Sequence, residues 1–449
     1  MNKIYEYLSF SGNSVECYGL DIVKNNLKEN GFSILEFNPQ SDNYCLLSLY
    51  WFDDVYKFIE LKTKYPNKRF ICGGLASWTY PNSIYKYADY IFIGEGDDWD
   101  GDLEKDYIIN CKEIKKANQH ISSEIKNCIY SDMQTTETFK RGFVEISRGC
   151  KNKCLFCQYT WVKPYRENSI DMIEPILQLN KTKQMRFFSA DRFAHSEFDK
   201  ISNLIEKYKK KDTSSDASIK QILKNNHLLN KVSKVRFGIE GTSERLRKLI
   251  NKNFSDDDLI QFFVLLFQNG FKTADIYMIY GLPTECKEDY YSWIKFLRKL
   301  DKEVKDFNFC FHWNAFTPSA LTPFQFAPAA DCGIKQNEFE IIVRDIQNKN
   351  NKFYYKPLKT NEFTLLKRLL IIKNNDKTDN LLKALALNEK KFKKNAYLLK
   401  KIYKDLTNKN IYSEVREDEE MPFDRFLNYD KKKLYNIYIN AINKYKLAS

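Results

Sequence analysis

Ser147–Tyr159 reads SRGCKNKCLFCQY. It sets Cys150, Cys154 and Cys157 in a C-x3-C-x2-C loop directly after an apolar strand, FVEISRG (143–149). Thiolates are soft ligands, suited to zinc or to iron–sulfur clusters. Structural zinc ordinarily takes its fourth ligand at a matched spacing, from a second C-x2-C or an H-x3-H. Neither accompanies this loop. Three thiolates on a [4Fe–4S] cluster leave one iron open to a further ligand. The loop therefore reads as cluster ligands, ahead of structural zinc or three incidental cysteines.

Downstream of the loop, strands and helices alternate. SIDMIEPILQLNK (169–181), SEFDKISNLIEKYKKK (196–211) and QILKNNHLLNKV (221–232) carry helical periodicity, as do 242–270 and 287–303. QMRFFSAD (184–191), VRFGIEG (235–241), ADIYMIYGLP (274–283) and DFNFCFHWNAFTP (306–318) read as strands, with a weak one near 215–221. Six strand–helix repeats predict a partial parallel barrel, whose sites lie at the strand C-termini.

The cysteine loop resembles the cluster motif of the radical SAM superfamily, with an aromatic residue, Phe156, just before the last cysteine. That resemblance implies a partial (β/α)6 TIM barrel with the cluster loop after its first strand. It also implies S-adenosylmethionine on the open iron, cleaved reductively to a 5′-deoxyadenosyl radical that abstracts a substrate hydrogen. FGIEGTSERLRKLINK (237–252) is similar to the family's fourth-strand segment. By that resemblance Glu240, Ser243 and Arg245 lie near the ribose and methionine moiety. IYMIYGLPTECKED (276–289) resembles the fifth-strand segment, with Gly281, Pro283 and Glu285 beside the adenine. The family's Gly-Gly-Glu element is replaced by Ser189-Ala190-Asp191, so Asp191 is the candidate acceptor for the methionine amino group. The bland alternatives are a surface pair for Glu240 and Arg245 and a plain loop at Gly281. No catalytic side chain is assigned. The resemblance also implies an electron donor such as flavodoxin or ferredoxin.

Upstream, IYEYLSF (4–10), FSILEF (32–37), NYCLLSLYW (43–51), KRFICGG (68–74) and DYIFIGEGD (89–97) read as strands. Helices at 14–31, 52–66 and 81–88 separate them. The alternation predicts a Rossmann-like, doubly wound parallel sheet that binds ligands beyond its strand carboxyl ends. Gly73-Gly74 and Gly94-Glu95-Gly96 fall there, where bare backbone lets a flat ligand approach. ICGGLASWTYPN (71–82) and YADYIFIGEGD (87–97) resemble the cobalamin-binding domain that precedes many radical SAM cores. The resemblance implies cobalamin at those glycines, but without the usual lower-ligand histidine. His120, His195, His227 and His312 all lie outside residues 1–97. Cys17, Cys45 and Cys72 read as core thiols rather than as ligands of a second cluster. Cys111, Cys128, Cys286, Cys310 and Cys332 read as unpaired thiols.

The expected organisation is a cobalamin-binding-type domain (1–110), a linker (111–140), a radical SAM core (141–330) and a helical, basic C-terminal domain (331–449). In the last of these FYYKPL (353–358) is a short strand. The exit segment WNAFTPSALTPFQF (313–326) is expected to fold over the barrel, with His312, Trp313 and Asn314 facing its cavity. EDEEMPFDRF (417–426) resembles a late segment of cobalamin-dependent members. Ten of the thirteen net positive charges lie in residues 331–449, with 26 Lys and Arg against 16 Asp and Glu. Clustered cations suit nucleic acid, but a solvated basic face accounts for them as well.

Eleven cysteines in 449 residues are too few for a disulfide scaffold. Scarce Gly (15) and Pro (11) exclude collagen-like and low-complexity classes. The N-terminus lacks a secretory h-region and no run of 18 apolar residues occurs, so a cytoplasmic location and no membrane partner are expected. The sequence reading is a radical SAM enzyme, in its finer form a cobalamin-dependent methyltransferase acting on an unactivated carbon of a small molecule, peptide or RNA. The alternatives are a non-methylating radical enzyme (rearrangement, cyclisation or epimerisation) and a nucleic-acid-binding protein with a structural cluster.

Overall fold

The computed structural model describes residues 4–10, 15–127, 141–214, 217–231, 235–330, 353–356 and 362–446. Cys128 and Cys332, the side chain of Cys17 and residues 128–140 of the expected linker lie outside them. Two compact units emerge. One holds residues 1–141, 366–411 and 418–430; the other holds 142–365, 412–417 and 431–449. The C-terminal quarter is thus shared between the units.

The first unit contains β1 (Ile4–Leu8), α1 (Val15–Glu29), β2 (Ser33–Glu36), β3 (Tyr44–Ser48), α2 (Phe52–Lys64), β4 (Arg69–Gly73), α3 (Leu75–Thr79), β5 (Tyr90–Phe92) and β6 (Ile108–Asn110). Its sheet runs β2-β1-β3-β4-β5-β6. The first five strands are parallel and β6 is antiparallel to β5. This is the doubly wound order, with its switch point between β1 and β3. Only a short 3-10 turn, Pro81–Ser83, occupies the helix expected at 81–88, and α3 just before it is an element the sequence reading lacks. Tyr5, Leu20, Leu27, Leu46, Ile71, Phe92, Trp99 and Ile108 form one apolar core. Cys45 and Cys72 are fully buried beside it, and burial pushes both thiols up, as core thiols require. Helix Glu362–Ile372 enters this unit at Leu366, where the Tyr56 hydroxyl donates to Lys367 O at 2.7 Å. Helix Asp379–Leu387 packs on α2.

The second unit contains β7 (Arg141–Glu145), β8 (Ser147–Arg148), α4 (Gln158–Val162), β9 (Arg166–Glu167), α5 (Ile170–Leu179), β10 (Gln184–Phe188), α6 (Phe198–Lys207), β11 (Lys211–Asp212), α7 (Ile219–Lys224), β12 (Arg236–Glu240), α8 (Glu244–Leu249), α9 (Asp256–Gln268), β13 (Thr273–Tyr280), α10 (Lys287–Glu303), β14 (Asn308–Ala315) and β15 (Phe353–Lys356). The main strands form two sheets, β11-β10-β7 and β12-β13-β14-β15. The β12–β13, β13–β14 and β14–β15 pairings are all parallel. The weak third strand falls at β11, a few residues earlier than expected. Of the expected aromatic strand FYYKPL, Phe353–Lys356 extend the barrel sheet past β14, with Phe353 stacked on Phe309 at 5.1 Å.

Strand alternation decides what faces inward. Phe309, Phe311 and Trp313 are buried under the helices: Phe263 of α9 meets Phe309 at 5.0 Å, and Trp293 of α10 meets Phe311 at 5.5 Å and Trp313 at 6.4 Å. The intervening residues Cys310, His312 and Asn314, with Asp275 and Tyr277 on β13, take the opposite, inner face. Trp313 therefore does not face the cavity as the sequence reading had it, while His312 and Asn314 do.

Candidate active site

The three-cysteine loop leaves β8 at Gly149, whose φ of +76° suits glycine. A Cβ there would strike the carbonyls of Lys163 and Pro164. The antiparallel pair β8–β9, Ser147 with Glu167 and Arg148 with Arg166, pinches the base of the loop. Inside it Cys157 N–H donates to Cys154 O at 3.2 Å, Trp161 Nε1 donates to Cys154 O at 3.0 Å, and the Thr160 hydroxyl donates to Cys150 O at 3.2 Å. Two outside segments anchor it. Leu155 N–H reaches Ile250 O at 3.1 Å, and Asn251 Nδ2 reaches Lys153 O at 2.8 Å. On the other side Gln158 Nε2 donates to Ala320 O at 3.1 Å and Phe324 N–H to Leu155 O at 3.2 Å, so the exit segment lies against the cysteine loop.

Burial raises all three thiols and pushes Cys154 to about 12; Cys157 adds to the rise at Cys150, and both Cys150 and Cys157 add to it at Cys154. Asn152 Nδ2 lies 3.6 Å from Cys150 Sγ and 3.4 Å from Asp191 Oδ2. Lys252 faces the same group. Burial works to lower this lysine, but Glu240 and the thiolates of Cys154 and Cys157 outweigh it and hold it above its usual value. Three converging thiols with one cation beside them fit an anionic iron–sulfur cluster.

Glu240 ends β12 at a bulge, with φ +66°. A non-glycine residue there costs about 1–3 kcal/mol of local strain. Its carboxylate lies 3.5 Å from Lys252 Nζ, which also donates to Gly238 O at 2.7 Å. A Cβ at Gly238 would strike the Glu240 carboxylate, so that glycine lets the carboxylate fold back. Burial raises Glu240 and Lys252 opposes the rise. Asp191 is buried, and burial raises it too; Ser218 N–H at 3.2 Å and Asn152 partly offset this. Phe156 is half-buried in the loop.

Ser243 and Arg245 are engaged within the protein. Ser243 caps α8, accepting from Leu246 N–H at 3.2 Å, and its hydroxyl donates to Asp289 of α10. Arg245 forks onto the same carboxylate and donates to Thr284 Oγ1 and O, each at 2.9 Å, and to Tyr445 O at 2.6 Å. Their nearest partner is α10. Gly281 has φ +72° and its N–H donates to the Glu285 carboxylate; a Cβ there would strike Ala330.

In the first unit Gly74 (φ +88°) and Gly94 (φ +125°) sit at strand carboxyl ends as expected. What crowds them is the protein's own backbone. A Cβ on Gly74 would strike Leu49, and one on Gly94 would strike His120. At Gly96 the obstacle is Val23, whereas Gly73 has only ordinary contacts. The buried Glu95 accepts from Ser122 N–H at 3.2 Å. His120, outside residues 1–97 in sequence, bridges to Gly94, stacks on Tyr107 at 4.2 Å and bonds Asp98 at 2.7 Å. Glycine is therefore required at 74 and 94 by close approach to the protein's own backbone. Trp51, just past β3 at the start of α2, is exposed.

Sequence reasoning missed Gly238, Asn152, Lys252 and Asp289. Lys252 closes the segment 237–252, which carries the family resemblance but had given that residue no role. Nothing local marks Asp289.

Residues 144–297 match the model of the radical SAM superfamily. That stretch of the second unit, with the barrel and loop described above, is thus a radical SAM domain, and a doubly wound α/β domain precedes it. In overall fold it is similar to OxsB, a cobalamin-dependent S-adenosylmethionine radical enzyme solved with aqua-cobalamin and S-adenosylmethionine bound. The TM-score is 0.56 at 12% identity, covering 98% of this chain and 79% of that one. The OxsB structure with aqua-cobalamin alone gives 0.53 at the same identity and coverage. In sequence the chain is 22% identical over 327 residues to the uncharacterized protein MJ0966 of Methanocaldococcus jannaschii, across 65% of this chain and 72% of that one. Among the described residues no helix is long and apolar enough to cross a membrane.

Proposed function

We propose that this protein methylates an unactivated carbon by radical chemistry, with cobalamin as methyl carrier. The observation that carries the radical part is the loop of Cys150, Cys154 and Cys157, held against Lys252, Glu240 and Asp191. Cys150, Cys154 and Cys157 would hold a [4Fe–4S] cluster, which would supply the electron for reductive cleavage of bound S-adenosylmethionine to a 5′-deoxyadenosyl radical. The chain's own residues bind and orient. Asp191 accepts at the methionine amino group, Lys252 balances the thiolate charge, and Glu240 is aimed by its bulge toward the same space. Asp289 fixes Ser243 and Arg245, which set the entry of α8. The exit segment shields the loop from water, which a carbon radical requires. An electron donor of the flavodoxin or ferredoxin class would deliver the reducing electron.

The cobalamin part rests on the likeness of fold to OxsB and on the exposed Trp51 just past β3. Against it, close approach to the backbone of Leu49 and His120 by itself accounts for Gly74 and Gly94. That observation favours the second reading, a radical enzyme that rearranges, cyclises or epimerises without a corrinoid.

Anaerobic purification with hydroxocobalamin separates the two. Methylation predicts a corrin spectrum that survives gel filtration, together with 5′-deoxyadenosine. A corrin-free protein that still makes 5′-deoxyadenosine would leave the second reading standing. Full iron content in the Cys150, Cys154 and Cys157 triple Ala variant would sink both.

A further inference from the structure

A second group of metal-ligating side chains lies on the inner barrel face, apart from the cysteine loop. Asp275 of β13 and Cys310 of β14 are register partners, and His312 follows two residues on, on the same face. One ligand atom from each lies within 4.8 Å of the other two. His312 Nε2 is 2.8 Å from Asp275 Oδ1, and each side chain is only 13% exposed. The site is set below the strand exits. Asp275 stands three residues before Met278, which pairs with Glu240, or roughly 10 Å deeper at about 3.3 Å per residue.

We propose that Asp275, Cys310 and His312 bind a divalent zinc ion. One nitrogen, one sulfur and one carboxylate oxygen is a borderline-soft set that suits zinc. Ligand atoms on one tetrahedral zinc, with bonds of about 2.0–2.3 Å, stand roughly 3.3–3.7 Å apart. The present spacing is compatible with that after small side-chain rotations. An Asp–His hydrogen bond alone accounts for two of the three groups and leaves Cys310 unexplained. On binding, the metal takes the place of the proton between Asp275 and His312 and displaces the Cys310 thiol proton. Three protein ligands leave a fourth position toward the lumen. Arg236 is the register neighbour of Asp275 on β12. The two anionic ligands neutralise the dication and Arg236 adds a positive charge, so the fourth position suits a hydroxide or an anionic oxygen of the substrate.

The test is metal analysis of the cluster-loaded full chain dialysed against micromolar zinc. The expected result is one zinc per chain in addition to cluster iron. Cys310→Ser and His312→Gln, both close in volume to the native residues, should weaken zinc binding at least tenfold with iron content unchanged. Zinc should also raise the Tm of the native chain and leave that of either variant unmoved. Equal zinc in native and variant chains, or none in the native chain, would overturn the proposal. Iron and zinc are read separately, so failure of the radical reading would show as lost iron with zinc retained.

Discussion

At the residue scale the cysteine loop depends on groups that sequence spacing does not display. Cys154→Ala should abolish cluster iron and 5′-deoxyadenosine formation, measured by iron analysis and product assay. Glu167, beside this loop, accepts from Tyr165 OH at 2.6 Å, Ser196 N–H at 3.0 Å and Lys151 Nζ at 3.1 Å. Burial works against it, but the bonds from Ser196, Tyr165 and Lys151 win and hold its carboxyl at about 2, below the usual 4.5. A carboxyl lowered on folding stabilises the fold above its unfolded pKa, and the gain is lost as pH falls from about 4.5 toward 2. With solvent screening the contribution is about 2 kcal/mol at neutral pH. Glu167→Gln should therefore lower stability near pH 7 by about that amount and flatten the acid limb of a Tm-against-pH curve. Gly94→Ala puts a Cβ into the backbone of His120, so a loss of about 3 kcal/mol or more is expected in denaturant unfolding.

At the element scale local signals and packing agree over most of the chain. Helix α9 starts at Ser255, whose hydroxyl accepts from Asp258 N–H at 3.0 Å while the Asp258 carboxylate accepts from Ser255 N–H at 2.7 Å. Ser255→Ala should cost about 1 kcal/mol in chemical denaturation. One strand of the domain expected at 1–110 went unread: residues 108–110 form β6, because Ile108 and Ile109 complete an apolar edge beside β5. Three residues are too short a run to show period-two alternation. The 81–88 segment has helix-like spacing, yet Asn82 and Ser83 are drawn into bonds with Ile371 O at 3.1 and 2.7 Å. A partner nearly three hundred residues away is invisible to any local window.

At the scale of the whole molecule the N-terminal unit is completed by the distant segments 366–411 and 418–430. Leu366, Leu369, Leu370, Leu382 and Leu385 are fully buried there. A fragment ending at residue 141 should therefore be protease-sensitive and bind a hydrophobic dye, unlike the full chain; limited proteolysis checks this. The sequence by itself determined the cysteine loop, the strand–helix order of both halves and the register of apolar faces, because each follows from spacing within a few residues. Only the tertiary structure decided how those pieces are used. It gave Ser243 and Arg245 to Asp289, set Gly74 and Gly94 against Leu49 and His120, turned Trp313 away from the cavity, and gathered Asp275, Cys310 and His312. Each of these depends on which strand neighbours which and on what packs against the far face, and such long-range pairings leave no local periodicity to read.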